Sequence, residues 1–389
     1  MNKIRIGLLG GGTGGHIYPL IAVAEKLRRW ESSLGSEITI RYFGDAGDYR
    51  GELEQAGIQF SGIVSSKWRR YFSLKNFLDI AKAAFGFLQA LWKIYWFMPD
   101  VVFMKGGPGS LVIAYVCRFY AIPLIVHESD TVPGLSNRLA GKFAKIVEIA
   151  FKEAAAFFPS GKSRLVGIPI REAIFLGETT RARSMLGLTE DGLPVLLMMG
   201  GSQGAEKINA FILDNLEILL DRFRIIHQVG RNNYDSYMSE YSFAAKNISE
   251  EKKKNYRPSA FLGKELPEAM AAADLIVSRA GGTTIFEIAA RAKPSVLIPL
   301  ALAAHDHQRE NAYAYAKPGA CLVIEEENLL VGLFISELEQ LLHNPSKLKS
   351  MSEAAKNFYL PGAAESIAED LVKIAGAVPS GIRPPAGNQ

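Results

Sequence analysis

The chain has 389 residues, of which 48% are apolar and 22% charged, with a formal net charge of +4. That length fills two cores of ordinary domain size, and so small a positive excess does not make a nucleic-acid-binding surface. The two cysteines, Cys117 and Cys321, lie in apolar runs; they exclude a disulfide framework and fit a reducing cytoplasm.

The first apolar run breaks at once into Gly10-Gly11-Gly12-Thr13-Gly14-Gly15-His16, which predicts a first strand and not a secretory signal. Behind it Ile17, Leu20, Ile21, Ala24 and Leu27 recur at helical spacing, one apolar stripe to set against a sheet. A strand that runs through glycines into a helix offers backbone N–H groups and the positive end of the helix dipole, an anion site. Gly10-x-Gly12-x-x-Gly15 also satisfies the dinucleotide fingerprint. The acidic residue that fingerprint needs about 20 positions further on is poorly placed, because Asp45 comes only after Phe43-Gly44. His16 falls at a helix N-terminus, where the dipole keeps an imidazole neutral enough to accept a proton; capping the helix is its competing role.

Strand-like runs at 38–43, 101–104, 124–126, 146–149, 195–199, 225–229, 275–278 and 296–299 alternate with longer helical patterns, the mark of parallel α/β sheets. Between 68 and 98 the rings of Trp68, Tyr71, Phe72, Phe77, Phe85, Phe87, Trp92, Tyr95, Trp96 and Phe97 are interleaved with Lys67, Arg69, Arg70, Lys75, Lys82 and Lys93. Aromatics at helical spacing usually face a core, but rings among bases also suit a surface that docks on anionic lipid headgroups. Gln89 and Lys93 interrupt the run from 82 to 98, which falls short of the roughly 20 apolar residues of a spanning helix. Gly106-Gly107-Pro108-Gly109-Ser110 and His127-Glu128-Ser129-Asp130 each follow a strand, at the carboxyl edge where open α/β sheets hold ligands. His127 and Glu128 equally fit a buried structural pair.

Val166-Gly167-Ile168-Pro169 interrupts the pattern before a helix expected from about Arg171. This sets domains at 1–168 and 169–355, a helix at 356–377 with Ile367, Leu371 and Ile374 on one face that crosses back to the first domain, and a disordered Pro/Gly-rich tail at 378–389. The second half repeats the opening device as Met199-Gly200-Gly201-Ser202-Gln203-Gly204-Ala205, followed by Ile208, Phe211, Ile212, Leu216, Leu219 and Leu220 at helical spacing. Two such loops imply two Rossmann-like halves facing a shared cleft with a phosphorylated ligand between them. Ser202 and Gln203 are suited to a diphosphate, with Ser202 as a plain N-cap the alternative. The charge run from 250 to 255 reads as a solvated loop. A third unit leads from 275–278 into Gly281-Gly282-Thr283-Thr284-Ile285-Phe286-Glu287. There Thr284 and Glu287 have capping-box spacing, while a carboxylate at that place could also take both hydroxyls of a ribose. His305-Asp306-His307-Gln308 invites a metal, but adjacent side chains point apart and no zincin or D-x-D pattern is present, so no metal is expected.

Gly11-Gly12-Thr13-Gly14-Gly15-His16, His127-Glu128, Val166-Gly167-Ile168-Pro169-Ile170-Arg171, Gly200 to Ala205, and Asp306-His307-Gln308 with Asn311-Ala312 together resemble the MurG family of N-acetylglucosaminyltransferases, in order and over nearly the whole chain. The resemblance implies a GT-B fold of two Rossmann-like domains, UDP-N-acetylglucosamine as donor and undecaprenyl-diphospho-N-acetylmuramoyl-pentapeptide as acceptor. It also implies no cofactor and a place at the cytoplasmic face of the cell membrane. By position, Thr13, Gly14 and Gly15 would meet the donor sugar side, and Arg171, Ser202 and Gln203 the diphosphate. Leu262 would lie by the uracil, Gly282, Thr283, Thr284, Ile285, Phe286 and Glu287 would hold phosphate and ribose, and His307 and Gln308 would reach sugar hydroxyls. His16 and Glu128 become candidates for activating the acceptor hydroxyl, with Gly106 and Gly107 in an acceptor loop. Three positions depart from the family pattern: Asp130, a donor-sugar position, stands where Asn is common, Pro108 where an aromatic is common, and His307 where Gln is common. The competing classes are a GT-B glycolipid synthase acting on diacylglycerol, a nicotinamide dehydrogenase and a non-catalytic lipid-surface scaffold.

Overall fold

A computed structural model describes residues 2–64, 75–185, 192–201, 204–301 and 306–376. Two compact units divide the chain, one formed by Met1–Ser129, Pro133–Pro169 and the chain from Gly362, the other by Asp130–Val132 and Ile170–Pro361.

The first unit holds a parallel sheet of β1 (Asn2–Leu9), β2 (Ser36–Gly44), β3 (Gln59–Gly62), β4 (Val101–Met104), β5 (Leu124–Glu128), β6 (Ile146–Ile149) and β7 (Ser163–Leu165), in the order β3-β2-β1-β4-β5-β6-β7. β1 pairs with β2 from Asn2↔Ser36 to Leu9↔Phe43 and with β4 from Ile6↔Val101 to Leu9↔Met104. The chain leaves β1 toward one edge and returns to its other side at β4, so the carboxyl end of β1 is a topological switch point. Ile6, Leu8, Leu9 and the whole of β4 are buried, as expected for strands covered on both faces.

Helix Gly14–Leu34 follows β1, buries Ile17, Leu20, Ile21, Ala24 and Leu27, and ends at Gly35 in the left-handed conformation with φ 59°. The last described helix, Ala363–Ile374, belongs to this same unit and buries Ala364, Ile367, Ala368, Leu371 and Val372. Glu365 pairs with Lys26 of the first helix, and Arg164 of β7 joins Asp370 to the buried Glu148 of β6.

The second unit repeats the plan with β8 (Val195–Met199), β9 (Arg224–Gln228), β10 (Tyr256–Ser259), β11 (Leu275–Ser278), β12 (Ser295–Leu297) and β13 (Cys321–Val323), in the order β10-β9-β8-β11-β12-β13. β8 is again the switch strand.

Three local expectations are corrected. The stripe from Ile208 to Leu220 is two helices, Glu206–Asp214 and Leu216–Leu220, because Asn215 departs from helical φ at −121° and turns its amide back onto Phe211 O at 2.8 Å. The helix expected from Arg171 is a 3-10 turn at Glu172–Phe175 and then helix Thr179–Met185. Between them a Cβ on Gly177 would come 2.2 Å from Pro267 O, so the chain there lies flat on its neighbour. The boundary at 355 falls inside helix Pro345–Phe358, which stays with the second unit because Phe358 packs on Phe286 and Tyr315 with ring centroids 5.4 and 4.9 Å apart. The tail at 378–389 lies outside the described residues.

Candidate active site

In the first unit the loops after β1 and β4 touch through their backbones. A Cβ on Gly107, whose φ is +94°, would stand 2.8 Å from Gly11 Cα and 3.3 Å from His16 Cε1, so only glycine lets the two loops close beside the imidazole. Thr13 is the N-cap of the first helix, and its Oγ1 lies 2.8 Å from Nδ1 of the half-buried His16.

β5 runs two residues beyond its apolar core and carries His127 and Glu128 within the sheet, both buried. Neighbours on a strand face opposite ways, so the two do not form a pair with each other. His127 Nε2 donates to Gly167 O at 2.7 Å, which leaves Nδ1 to accept from Lys105 Nζ at 3.0 Å. Burial, and then the Lys105 charge, hold the His127 pKa well below the usual range, so the ring is a fixed neutral strut. Glu128 Oε2 accepts from Asn137 Nδ2 at 2.9 Å and Oε1 from Ser129 N at 2.7 Å. Asn137 in turn backs the β4 loop, where a Cβ on Gly106 would come 2.7 Å from its Oδ1. Lys105 and Asn137 carried no motif signal; only the fold brings them to Glu128 and His127.

In the second unit the loop after β8 is closed by Gly204 N donating to Gly201 O at 3.1 Å. Gly201 and Gly204 have φ of +83° and +81°, and a Cβ on Gly204 would fall 2.1 Å from Val229 O. Ser202 and Gln203 lie outside the described residues; the N-cap of the helix that follows is Ala205.

The third loop opens helix Gly282–Ala290 with Gly281 as N-cap. Thr284 is therefore the third helical residue and Glu287 the sixth, which rules out a capping box between them. Glu287 is buried with Oε1 3.8 Å from Arg171 Nη2; burial raises its pKa and Arg171 pulls the other way. Ile285 and Phe286 point into the core, while Gly282, Thr283 and Thr284 form the first turn. Leu262 is buried and its N–H donates to Gln228 Oε1 at 3.0 Å.

Asp130, with Thr131, sits in the second unit against the fully buried Asn311, whose Nδ2 donates to Asp130 Oδ1 at 2.7 Å and whose Oδ1 accepts from Thr131 N at 2.8 Å. Three and four residues earlier on the same helix, His307–Ala316, stand Gln308 and His307; Gln308 Oε1 accepts from Leu300 N at 3.1 Å. His305 lies outside the described residues, among which no group of three or more His, Cys, Asp or Glu is placed to hold a metal ion.

The structure thus gathers Thr13, His16, Gly106, Gly107 and Glu128 at one sheet edge of the first unit. In the second it brings Arg171 to Glu287, Asp130 to Asn311, and Leu262 to the β8 loop.

Residues 6–149 match the glycosyltransferase family 28 N-terminal domain and residues 195–367 its C-terminal domain. A UDP-N-acetylglucosamine--N-acetylmuramyl-(pentapeptide) pyrophosphoryl-undecaprenol N-acetylglucosamine transferase of Clostridium tetani is 36% identical over 91% of this chain and 94% of its own length. A Treponema denticola protein of the same name is 35% identical over 89% and 91%. The crystal structure of Acinetobacter baumannii MurG, at 24% identity, superposes with a TM-score of 0.68 over 95% of this chain and 99% of that one, a likeness of fold. The two parallel-sheet units are those of a GT-B glycosyltransferase. The chain belongs to glycosyltransferase family 28 and, within it, to the MurG family of undecaprenol-linked N-acetylglucosamine transferases.

Proposed function

We propose that the chain transfers N-acetylglucosamine from UDP-N-acetylglucosamine to the C4 hydroxyl of undecaprenyl-diphospho-N-acetylmuramoyl-pentapeptide, with inversion, the step that turns lipid I into lipid II in peptidoglycan synthesis. The observation that carries this reading is the pair of glycine loops, each at the carboxyl end of a switch strand, β1 in one unit and β8 in the other. Such loops take phosphorylated ligands. The names of the relatives supply the sugar and the lipid.

In this reading the second unit holds the donor. Leu262 lies by the uracil, Glu287 takes the ribose hydroxyls, and Arg171 with Ser202 and Gln203 receives the diphosphate. The first turn of the helix from Gly282 through Thr284 adds N–H groups to that charge, and the buried Ile285 and Phe286 anchor the turn. His307, Gln308 and Asp130 face the sugar, and Thr13, Gly14 and Gly15 of the first unit's loop are assigned to the donor sugar as well. The acceptor oxygen attacks the anomeric carbon as the bond to UDP breaks. Its proton passes to His16 or Glu128, and the developing charge on the diphosphate is met by Arg171 and the helix N-terminus. No divalent cation takes part. Gly106 and Gly107 shape the acceptor side.

Membrane contact belongs to the same proposal. The described aromatics of helix Lys75–Phe97 face mostly outward: Phe85, Trp92, Tyr95 and Trp96 are more than half exposed and only Phe97 is buried. Phe119 on the neighbouring helix Ser110–Phe119 is exposed as well, beside Arg118. Trp68, Tyr71 and Phe72 lie outside the described residues. No described helix is long and apolar enough to cross a membrane. Exposed indoles and phenyl rings near bases suit shallow insertion among anionic headgroups; in this reading the protein works at the cytoplasmic face of the cell membrane, where a lipid-linked acceptor would be met.

Transfer of label from radiolabelled UDP-N-acetylglucosamine, with the muramoyl lipid and diacylglycerol offered in parallel, tests the reaction. Label on the muramoyl lipid in the presence of EDTA is the expected result. Label on diacylglycerol alone, or strict dependence on magnesium, contradicts it.

A further inference from the structure

We propose that Gln228 is a positioning residue for the nucleotide end of the donor, one side chain that locks the β8 glycine loop to the turn carrying Leu262. The inference rests on the donor reading above, in which Leu262 lies by the uracil.

Gln228 is the last residue of β9 and is buried. Both ends of its carboxamide are spent on main chain: Nε2 donates to Gly201 O at 2.9 Å and Oε1 accepts from Leu262 N at 3.0 Å. Gly201 O is also the oxygen that Gly204 N bonds, so the same carbonyl closes the loop and receives the amide. On the other side, pairing between the two strand ends continues past β9 and β10, with Val229 N to Ser259 O at 2.9 Å and Gly230 N to Ala260 O at 3.1 Å. Gln228 adds the next link. Arg231 lies 4.4 Å above the Phe261 ring and holds the turn from outside.

The join needs a donor and an acceptor in one planar group. A carboxylate keeps the acceptor for Leu262 N–H but sets an oxygen against Gly201 O. An apolar side chain loses both bonds and leaves two buried backbone groups to find other partners. Gln228 therefore acts through Gly201 and Leu262, and its effect is on where the nucleotide sits and not on the reacting atoms.

The test uses the full chain and the variants Q228A, Q228M and Q228E, each checked for a cooperative melting transition, with UDP and CDP binding, donor KM and kcat measured on all four. Losing two neutral hydrogen bonds in Q228A and Q228M is expected to weaken UDP about tenfold. Donor KM rises by the same factor and kcat stays within about twofold, the pattern of lost uniform binding. Preference for UDP over CDP shrinks in both, because Leu262 is released. Q228E weakens UDP yet keeps the wild-type preference, because its acceptor still holds Leu262. Folded variants with wild-type UDP affinity and preference overturn the proposal, as does a parallel loss of kcat and of the melting transition. A wild-type chain with no saturable UDP binding removes the donor reading itself, and the inference with it.

Discussion

Arg171 Nη2 and Glu287 Oε1 stand 3.8 Å apart in the second unit, with only 15% and 9% of their side chains exposed. The separation is longer than a hydrogen bond, and each charge partly offsets the burial of the other. Under the proposed reaction the two separate kinetically. Glu287→Ala removes ribose contacts made equally before and during transfer, and donor KM is expected to rise about tenfold or more with a smaller change in kcat. Arg171→Ala removes a cation that meets charge appearing on the leaving UDP, and kcat is expected to fall about 10² or more. Steady-state kinetics with varied donor distinguishes these outcomes from a common loss of both constants.

Removing the acceptor-side groups tests the other half of the chemistry. His16→Ala or Glu128→Gln, whichever is the base, is expected to lower kcat by about 10² to 10⁴, the usual worth of a positioned general base. UDP affinity stays near wild type, because both residues belong to the first unit. If both variants turn over normally, neither residue is the base.

Glu148 links pH to the docking of the last helix. Burial pushes its pKa from 4.5 up to about 8 against the pull of Arg164, with Asp370 adding to the rise. The folded chain keeps this proton up to about pH 8, whereas the unfolded chain releases it near 4.5. Stability from this carboxyl is thus full below that lower pH and declines as pH rises through the upper one, by about 1.4 kcal/mol per pH unit in between. Denaturant melts of wild type and Glu148→Gln at pH 5, 6, 7 and 8 check this; the variant is expected to lack that slope, and identical slopes count against it.

The outward rings of Trp92 and Trp96, 5.6 Å apart between centroids, predict vesicle binding. Replacing both with Ser is expected to reduce sedimentation with anionic vesicles about tenfold or more, given roughly 1.5 kcal/mol or more per large apolar side chain removed from water. Transfer to a soluble, short-chain acceptor stays intact. Equal sedimentation of variant and wild type rejects this surface as the membrane contact.

Inner strands such as Val101–Met104 and Val195–Met199 were legible as apolar runs because they are covered on both faces, whereas β2 was legible by alternation, with Glu37 exposed and Ile38 and Ile40 buried. The strands not anticipated, β3, β7, β10 and β13, are the four sheet edges, three or four residues each and bonded on one side. Gln59–Gly62 is largely half-buried and Ser163–Leu165 mostly exposed, and of the four only β13, inside the run from Ala320 to Ile324, is apolar throughout. An edge strand is assigned by its neighbour and not by its own composition. The glycine loops were readable for a related reason: backbone contacts such as Gly107 on Gly11 leave room for nothing else. Lys105, Asn137 and Gln228 were not, because each works on a partner between 9 and 34 positions away, and an isolated polar residue gives no hint of so distant a contact. The aromatic helix failed differently: its period showed that there were faces, but not which one looked outward.

Helix Ala363–Ile374 is part of the first unit, although the whole second unit precedes it in the chain. During synthesis the opening lobe must wait, with the groove for Ile367 and Leu371 uncovered, until the ribosome has made everything up to the far end. Expression of residues 1–169 alone is therefore a poor route to an isolated N-terminal lobe, and supplying the missing helix as a separate peptide is the natural remedy.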